Sequence, residues 1–108
     1  MDVVHHLVLA AEWDAVSGPT YSHSSLIDEG FIHFSSTAQV PDTSLRYYSD
    51  ADDLLLVTVD RERLTSELRW ENLSGHGEFP HLYGPLDLAA VVGVQRYSPG
   101  DPVKGPPE

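Results

Sequence analysis

The sequence Asp53-Leu-Leu-Leu-Val-Thr-Val-Asp60 contains an apolar run from Leu54 to Val59 that is interrupted only by Thr58. Leucine, valine and threonine in such a short run, with polar residues at both ends, are typical of a β-strand. A strand that is apolar on both faces belongs in the interior of a sheet. We therefore predict that residues 54 to 59 form the central strand and that the other elements pack around it.

Shorter elements are predicted on both sides of this strand. Apolar runs favour strands over residues 3–9, 31–34, 68–71 and 91–97, the last of them ending an ordered unit that begins at Phe79. Helix-start and helix-stop signals favour short helices over residues 10–16, 25–28 and from about 36 to 48. In the last of these helices we expect Leu45 and Tyr48 on the buried face. The sum is an α+β domain over residues 1 to 97, with a split β-sheet of five to six short strands and two to three short helices.

The C-terminal residues 98–108 have a different composition. They contain four prolines and two glycines and show no apolar pattern. We predict that they form a disordered tail, because a segment without apolar periodicity has nothing to bury.

Composition restricts the class of protein. The chain has 108 residues, 41% of them apolar, which fits one domain with its own core. No cysteine is present, so disulfides, thiolate nucleophiles and cysteine zinc sites are excluded. The N-terminus carries no basic leader pattern, and the apolar runs are too short to span a membrane. We expect a cytoplasmic protein.

The net charge of −11, from 6 basic and 17 acidic residues, narrows the choice of partner. Nucleic-acid binding needs Lys and Arg against phosphates, and an acidic protein also repels anionic lipid. We expect a small-molecule ligand, with neither nucleic acid nor membrane as a partner. Acidity that serves only solubility is the alternative, and the oligomeric state is left open.

Three histidines in strand-like islands carry the functional signal: VVHHLVL (3–9), GFIHFSS (30–36) and FPHLYGPL (79–86). Histidine has the unperturbed pKa nearest to neutrality and serves as base, acid, ligand or hydrogen-bond clamp. Strand alternation places Ile32 and Phe34 on one face and His33 on the other. If the three segments pair in one sheet, His6, His33 and His81 line one cleft. The alternative is that each is a structural histidine bonded to a backbone carbonyl.

The other histidines are interpreted from their surroundings. Strand alternation sends His5 and His6 to opposite faces, so we expect one of them to meet solvent. His23 and His76 lie in polar segments, where solvent exposure is expected.

Other chemistries have weaker support. A zinc site would need the three histidines, or two of them with Glu71 or Glu78, and no local metal-binding spacing is present. Ser35 and Ser36 could serve a Ser-His-Asp arrangement, but the sequence lacks a G-x-S-x-G elbow and any Gly-rich phosphate loop. Trp70 beside Glu71 can floor a pocket, and the alternative is that Trp70 belongs to the core.

Five segments together resemble a family of small bacterial proteins known as domain of unknown function 952. They are Trp13, EGFIHFSSTAQVP (29–41), DLLLVTVD (53–60), RWE (69–71) and GEFPHLYGPLDLAAVVGV (77–94). The resemblance extends over nearly the whole chain up to Tyr97. It implies an ADP-ribosyltransferase-like fold, whose active members hold NAD in a cleft of a split sheet.

The resemblance also implies roles for individual residues. His6 falls at the position of a first-strand histidine that contacts the ribose, and His33 falls at the position of a tyrosine that stacks on nicotinamide. His81 falls at the position where active proteins of the ADP-ribosyltransferase-like fold have a glutamate that stabilises the sugar cation. A neutral imidazole stabilises such a cation poorly, so Glu71 or Glu78 would have to supply the charge.

Three functions follow from these residues. The first is an enzyme, a transferase or hydrolase, that acts on NAD or an ADP-ribose-like substrate. In it His6, His33 and His81 would be catalytic, with Ser35, Trp70, Glu71, Glu78 and Tyr83 as ligand-binding residues. The second is a non-catalytic module that binds a small metabolite or nucleotide. The third is a metal site formed by the histidines.

Overall fold

The computed structural model of the chain describes residues 2 to 103, in which short strands alternate with short helices. The strands in chain order are β1 (Val3–Leu9), β2 (Thr20–Tyr21), β3 (Ile32–His33), β4 (Leu54–Asp60), β5 (Leu68–Glu71), β6 (Phe79–Leu82), β7 (Leu86–Asp87) and β8 (Val91–Arg96). The helices are α1 (Ala10–Asp14), α2 (Ser24–Asp28) and α3 (Val40–Tyr48), and single 3₁₀ turns occupy Arg61–Arg63 and Leu88–Ala90.

Strand β4 lies at the centre of the first sheet, between β1 and β8, and both pairings are antiparallel. The β1–β4 register runs from Val3 opposite Asp60 to Leu9 opposite Leu54. Almost every residue of β4 is buried, as its uninterrupted apolar sequence predicts. The predicted central strand is confirmed.

The second sheet has the order β3-β6-β5, and a two-residue pair, β2 with β7, forms a third. The α+β class is confirmed. The described residues contain eight strands where five or six were predicted. The two additional strands, β2 and β7, are only two residues long each, which is too short to leave a periodic pattern in the sequence.

The segment that contains β3 connects the two larger sheets. On one side, His33 pairs with His81 of β6 and the Phe34 amide donates to the Pro80 carbonyl. On the other, Ser35 exchanges reciprocal backbone hydrogen bonds of 2.7 and 2.8 Å with His5 of β1. Ile32 and Phe34 point into the core, so alternation leaves His33 on the opposite face, as predicted.

Apolar side chains between the sheets form two clusters. The larger contains ten buried residues, most of them in strands of all three sheets, among them Val8 of β1, Val57 of β4 and Leu82 of β6. The smaller contains Leu7, Val40, Leu54, Leu56 and Tyr97, and it holds α3 against the first sheet. This packing sets one face of α3 beside β3, where the candidate site lies.

Helix α3 ends at Tyr48, as the sequence indicates, but its buried face differs from the prediction. Ser44 is fully buried, whereas Leu45 is 51% exposed, so the expectation that Leu45 is buried is wrong. The Ser44 hydroxyl accepts a hydrogen bond of 2.8 Å from the Gly100 amide. Both residues lie beside the chain that follows β8: Ser44 through this hydrogen bond, and Leu45 with its exposed side chain next to Gly100.

Part of the segment for which a disordered tail was predicted makes contacts. Val103 packs against the smaller cluster, and the Tyr97 hydroxyl donates to the carbonyl of Asp101. Residues 104 to 108 of that segment lie outside the described residues. Within residues 2 to 103, no helix has the length and apolar character needed to cross a membrane.

Candidate functional site

A cleft of about 600 Å³ opens between β3, α3 and the loop that joins β5 to β6. Its titratable and polar lining includes His6, His23, Glu29, His33, Ser35, Arg46 and His81. Its aromatic lining consists of Phe31, Phe34, Tyr47, Tyr48 and Phe79. All three histidines of the sequence islands therefore line one cleft.

His33 and His81 face each other across the β3–β6 pairing. They are direct register partners, and directly opposite residues in antiparallel strands project to the same face. Their ring centroids are 5.5 Å apart and the rings are nearly perpendicular, at 86°. Two imidazoles, the side chains that serve most often as general acid or base in enzymes, thus lie close enough to act on one bound molecule.

A carboxylate holds the His33 ring from behind. Glu29 Oε2 lies 2.8 Å from His33 Nε2, and both side chains are about half exposed, at 51% and 52%. Glu29 directly follows α2, and the next residue, Gly30, has a φ of 88°, which turns the chain back before β3. Because an ionised carboxylate only accepts, this contact places the His33 proton on Nε2.

His81 has a partner of the same kind. Its ring is only 6% exposed, and Nδ1 lies 3.2 Å from Oε1 of Glu71 on the adjacent strand β5. The Tyr83 hydroxyl donates to the same Glu71 oxygen at 2.5 Å. These contacts place the His81 proton on Nδ1 and leave Nε2 without a hydrogen-bond partner among residues 2 to 103.

The electrostatics of this group follow from its contacts. The hydrogen bond from Tyr83 lowers the pKa of Glu71, and the contact with His81 lowers it further. The same carboxylate raises the pKa of Tyr83, since its charge disfavours a phenolate. The Arg69 guanidinium lies 4.5 Å above the Tyr83 ring. Glu71 is therefore ionised at neutral pH and acts as an acceptor for both neighbours.

Phe31 forms the floor beneath the two histidines. Its ring stacks on His81 with a centroid distance of 4.3 Å and an angle of 27°, and it makes a T-shaped contact with His33 at a centroid distance of 5.0 Å. Stacking restricts rotation of the His81 ring. The apolar floor and the carboxylates together hold both imidazoles in one orientation.

His6 lies deeper and has no free nitrogen. Nδ1 is 2.7 Å from the His33 backbone carbonyl, and Nε2 is 3.0 Å from the Tyr21 hydroxyl. Because a carbonyl only accepts, Nδ1 of His6 carries the proton and Nε2 accepts a hydrogen bond from the Tyr21 hydroxyl. Burial raises the pKa of Tyr21, so this hydroxyl keeps the proton that it donates. Burial lowers the pKa of His6 to about 4. His6 is therefore a neutral clamp between β1 and β3.

His5 is also buried, which corrects the expectation that one of the two adjacent histidines meets solvent. His5 and His6 are 1% and 3% exposed. The His5 ring lies between two hydroxyls, with Nδ1 3.1 Å from Thr58 and Nε2 2.8 Å from Thr37. Burial lowers its pKa to about 4. Both faces of β1 are covered, so alternation does not bring either ring to the surface.

The two remaining histidines differ from each other. His23 was expected in solvent, but its side chain is only 20% exposed, it lines the cleft, and its ring centroid is 5.5 Å from that of His6. The expectation for His23 is wrong, because the β2–β7 pair brings this segment against β1. His76 is exposed, as expected.

The predicted ligand-binding residues are divided by the structure. Ser35 is buried and lines the cleft. Glu71 and Tyr83 lie behind His81, whereas Trp70, which is 38% exposed, and Glu78 are not among the lining residues. In residues 2 to 103, no group of three or more His, Cys, Asp or Glu residues is placed to hold a metal ion.

Two cleft residues were missed by sequence reasoning. Glu29 precedes His33 by four positions, but this spacing indicates a contact only within a helix, and a turn separates the two. Arg46 is one of five arginines spread along the chain, and nothing in its local sequence distinguishes it from the others. Only the docking of α3 shows that Arg46 lines the cleft.

Comparison with known proteins places the chain in a family. The crystal structure of protein CC0527 from Caulobacter crescentus is similar, with 32% identity, a TM-score of 0.76 and coverage of 94% of this chain and 93% of that chain. The solution NMR structure of CC0527 gives 30% identity, a TM-score of 0.77 and coverage of 91% and 86%. A comparison with curated proteins finds no match. The family described as "Protein of unknown function (DUF952)" matches residues 7 to 94, and the chain belongs to that family.

Proposed function

We propose that the chain is an enzyme that acts on NAD or an ADP-ribose-like substrate, with His33 and His81 as its proton-transfer groups. The observation that carries this proposal is the opposed imidazole pair. Two rings with centroids 5.5 Å apart, each held by a carboxylate, border one cleft. Imidazoles oriented in this way are suited to general acid–base catalysis.

The roles of His33 and His81 follow from where protons are released and taken up in the reaction. When a ribose–nicotinamide bond breaks, its electron pair leaves with nicotinamide, which becomes neutral and needs no proton. The attacking water or acceptor hydroxyl forms the new bond to the ribose carbon and gives its proton to a neutral imidazole. When the leaving group is an oxygen, the second histidine has to be protonated as an imidazolium and gives its proton to that oxygen, so the pair then works as base and acid together.

The sugar cation that develops in such a step needs a negative charge nearby. The resemblance pointed to Glu71 or Glu78 for this charge. Neither Glu71, which is hydrogen-bonded to His81 and Tyr83, nor Glu78 is part of the cleft lining. Glu29 is the acidic residue among the lining residues, so we assign the electrostatic role to Glu29 and the orientation of His81 to Glu71.

The dimensions and surface of the cleft agree with a nucleotide ligand. Its volume of about 600 Å³ falls in the range that small-molecule sites occupy, roughly 300–1,000 Å³. Phe31, Tyr47 and Phe79 supply aromatic surface for flat rings. His6, whose nitrogens are both engaged, shapes the wall but takes no proton.

A non-catalytic nucleotide-binding module is the second candidate, and one observation favours it. Glu29 and Glu71 both already accept hydrogen bonds from imidazoles, which reduces the charge that either can offer to a sugar cation. Such a module would bind the same ligands in the same cleft without turnover.

A thermal-shift screen followed by a turnover assay separates these functions. The protein is heated with NAD, ADP-ribose, nicotinamide and zinc, because a ligand of the native state raises the unfolding midpoint. Release of nicotinamide from NAD, or breakdown of ADP-ribose, is then followed by chromatography. His33→Ala is compared with His76→Ala, which changes an exposed histidine outside the cleft.

Each outcome decides between the candidates. Turnover that is lost in His33→Ala and kept in His76→Ala supports the enzyme. A midpoint shift with NAD, ADP-ribose or nicotinamide but no turnover rejects the enzyme and supports the binding module. A shift with zinc alone rejects both and supports a metal site, and no shift with any compound rejects all three.

A further inference from the structure

Arg46 is exceptional among the charged residues of this acidic chain. It is the arginine that lines the cleft, while the net charge of the protein is −11. The overall field therefore repels anionic ligands, and an anion that enters the cleft needs a local cation. Arg46 is placed to be that cation.

Most other described arginines are already neutralised by a carboxylate. Arg61, Arg63 and Arg69 form ion pairs with Asp2, Asp60 and Glu67. Among residues 2 to 103, no carboxylate lies within ion-pair distance of Arg46, whose guanidinium instead lies 5.8 Å from the Tyr47 ring centroid. The fork of hydrogen-bond donors on Arg46 is thus available to a ligand.

The neighbours of Arg46 on α3 add to the same surface. Thr43, Arg46 and Tyr47 are spaced i, i+3 and i+4, which places them on one face of the helix, and all three line the cleft. The Thr43 hydroxyl is buried and finds no hydrogen-bond partner among the described residues. This face of α3 therefore combines a cation, a hydroxyl and an aromatic ring.

We propose that Arg46 anchors a phosphate or diphosphate group of the ligand, so that the cleft selects phosphorylated nucleotides over the corresponding nucleosides. The nucleotide part of this proposal rests on the proposed function, whereas phosphate binding at Arg46 requires no turnover. A planar guanidinium offers two parallel N–H groups to two phosphate oxygens, and such charge-assisted bonds are among the strongest in proteins. Arg46 is then a specificity-determining residue on the wall formed by α3, and the imidazole pair acts on the β3 side.

A purely structural role for Arg46 makes a different prediction. A cation in the last turn of a helix interacts favourably with the helix dipole, and Arg46 occupies such a position in α3. In that case its replacement would lower thermal stability and leave ligand selectivity unchanged.

The test measures equilibrium binding by calorimetry to the full chain. The probes are ADP-ribose and inorganic pyrophosphate, which carry phosphate, and adenosine and nicotinamide, which do not. Arg46→Gln removes the charge, Arg46→Lys keeps it without the fork, and Arg96→Gln is the matched control. Arg96 is exposed on β8, is not a cleft residue, and has no carboxylate partner within residues 2 to 103.

We expect Arg46→Gln to weaken ADP-ribose binding by roughly tenfold or more, the scale of a lost charge-assisted hydrogen bond, with a smaller loss for Arg46→Lys. Pyrophosphate binding should fall in parallel, and adenosine binding should stay within about twofold. Thermal midpoints of the unliganded variants show whether each has folded.

Three results overturn the proposal: equal losses for ADP-ribose and adenosine, the same loss in Arg96→Gln, or no binding of either phosphate probe to the unaltered protein. Failure of the proposed function looks different. Binding that depends on Arg46 without turnover rejects the enzyme and keeps the phosphate site, and turnover that is insensitive to Arg46→Gln does the reverse.

Discussion

The imidazole of His6 donates from Nδ1 to the backbone carbonyl of His33 across a distance of 2.7 Å. The histidine of the first strand thus holds the backbone of a cleft histidine, and its own nitrogens take no part in proton transfer. Its other nitrogen is bonded to Tyr21, so removal of the ring leaves two polar groups without partners. This arrangement makes His6 a residue of stability first and of function second.

We expect His6→Ala to lower the free energy of unfolding by about 2–4 kcal/mol, because it opens a cavity and strands two buried hydrogen-bond groups. Tyr21→Phe removes one hydrogen bond and should cost about 1 kcal/mol. Urea unfolding measures both, with the exposed His76→Ala as a control that should stay within about 0.5 kcal/mol. A His6→Ala variant as stable as that control would contradict the clamp.

Acid should destabilise the fold through His5 and His6. Burial lowers the pKa of each from 6.5 to about 4, so between these values the unfolded chain binds protons that the folded chain refuses. The folded protein has its full stability above pH 6.5, where both histidines are neutral in either state, and it loses stability as the pH falls toward 4. Between these two pH values, each histidine should lower the free energy of unfolding by about 1.4 kcal/mol for every unit by which the pH falls.

Urea unfolding at a series of pH values tests this slope. His5→Gln keeps a polar group between Thr37 and Thr58 but does not titrate, so its stability should change less steeply with pH than that of the unaltered protein. Equal slopes for the two proteins would show that His5 does not titrate differently in the folded and unfolded chains.

Tyr83 should control the ionisation of Glu71. Its hydroxyl is the main cause of the lowered pKa of that carboxyl, so Tyr83→Phe should raise the pKa of Glu71 toward the ordinary value of 4.5. A carboxyl whose pKa is lowered by folding stabilises the folded protein above its ordinary pKa, and this stabilisation is lost in acid. Tyr83→Phe removes the main cause of the lowered pKa, so the variant should be less stable than the unaltered protein at neutral pH.

Carbon-13 NMR titration of the Glu71 carboxyl measures this change, and nitrogen-15 NMR of His81 reports whether its proton stays on Nδ1. Tyr47→Phe, at an exposed tyrosine that does not contact Glu71, is the control. An unchanged Glu71 titration in Tyr83→Phe would rule out the hydrogen bond as the cause.

Gly84 is required by a close approach rather than by its backbone angle. A Cβ at this position would lie 2.2 Å from Ser66 Oγ and 2.8 Å from Ser66 Cβ. We expect Gly84→Ala to cost about 1–3 kcal/mol, the usual range for overpacking. Ser66→Gly should recover part of the loss in the double variant, since it removes both clashing atoms.

Gly93 offers a matched control for this cycle. A Cβ there would meet Thr58 at 3.9 Å, which is ordinary van der Waals contact. Gly93→Ala should therefore be tolerated much better than Gly84→Ala in the same unfolding measurement. Losses that are equal at the two glycines would show that contact with Ser66 is not the reason for Gly84.

The sequence predicts what depends on local pattern. The β4 run and the FIHFS alternation identify a central strand and the face that carries His33, because strand periodicity alone sets them. The register that opposes His33 to His81 has no local signal. It arises from pairing between segments that are 48 residues apart in the chain (81 minus 33).

The remaining errors have the same origin in tertiary contacts. His5 is buried because Thr37 and Thr58 close around it, and Thr37 belongs to a loop whose path the sequence does not indicate. Arg46 reaches the cleft because of the side on which α3 docks. Such contacts decide a site after the elements have formed, so pattern alone does not find them.

The reciprocal backbone pair between His5 and Ser35 makes the segment around β3 a seam that joins two sheets. If the sheets were to slide or part, this pair and the bond from His6 to the His33 carbonyl would have to break first. As long as these hydrogen bonds are intact, the backbone of the two sheets fixes the relative position of His33 and His81. Substitutions in α3 and in the β5–β6 loop can therefore change which ligand the cleft accepts without moving the two imidazoles.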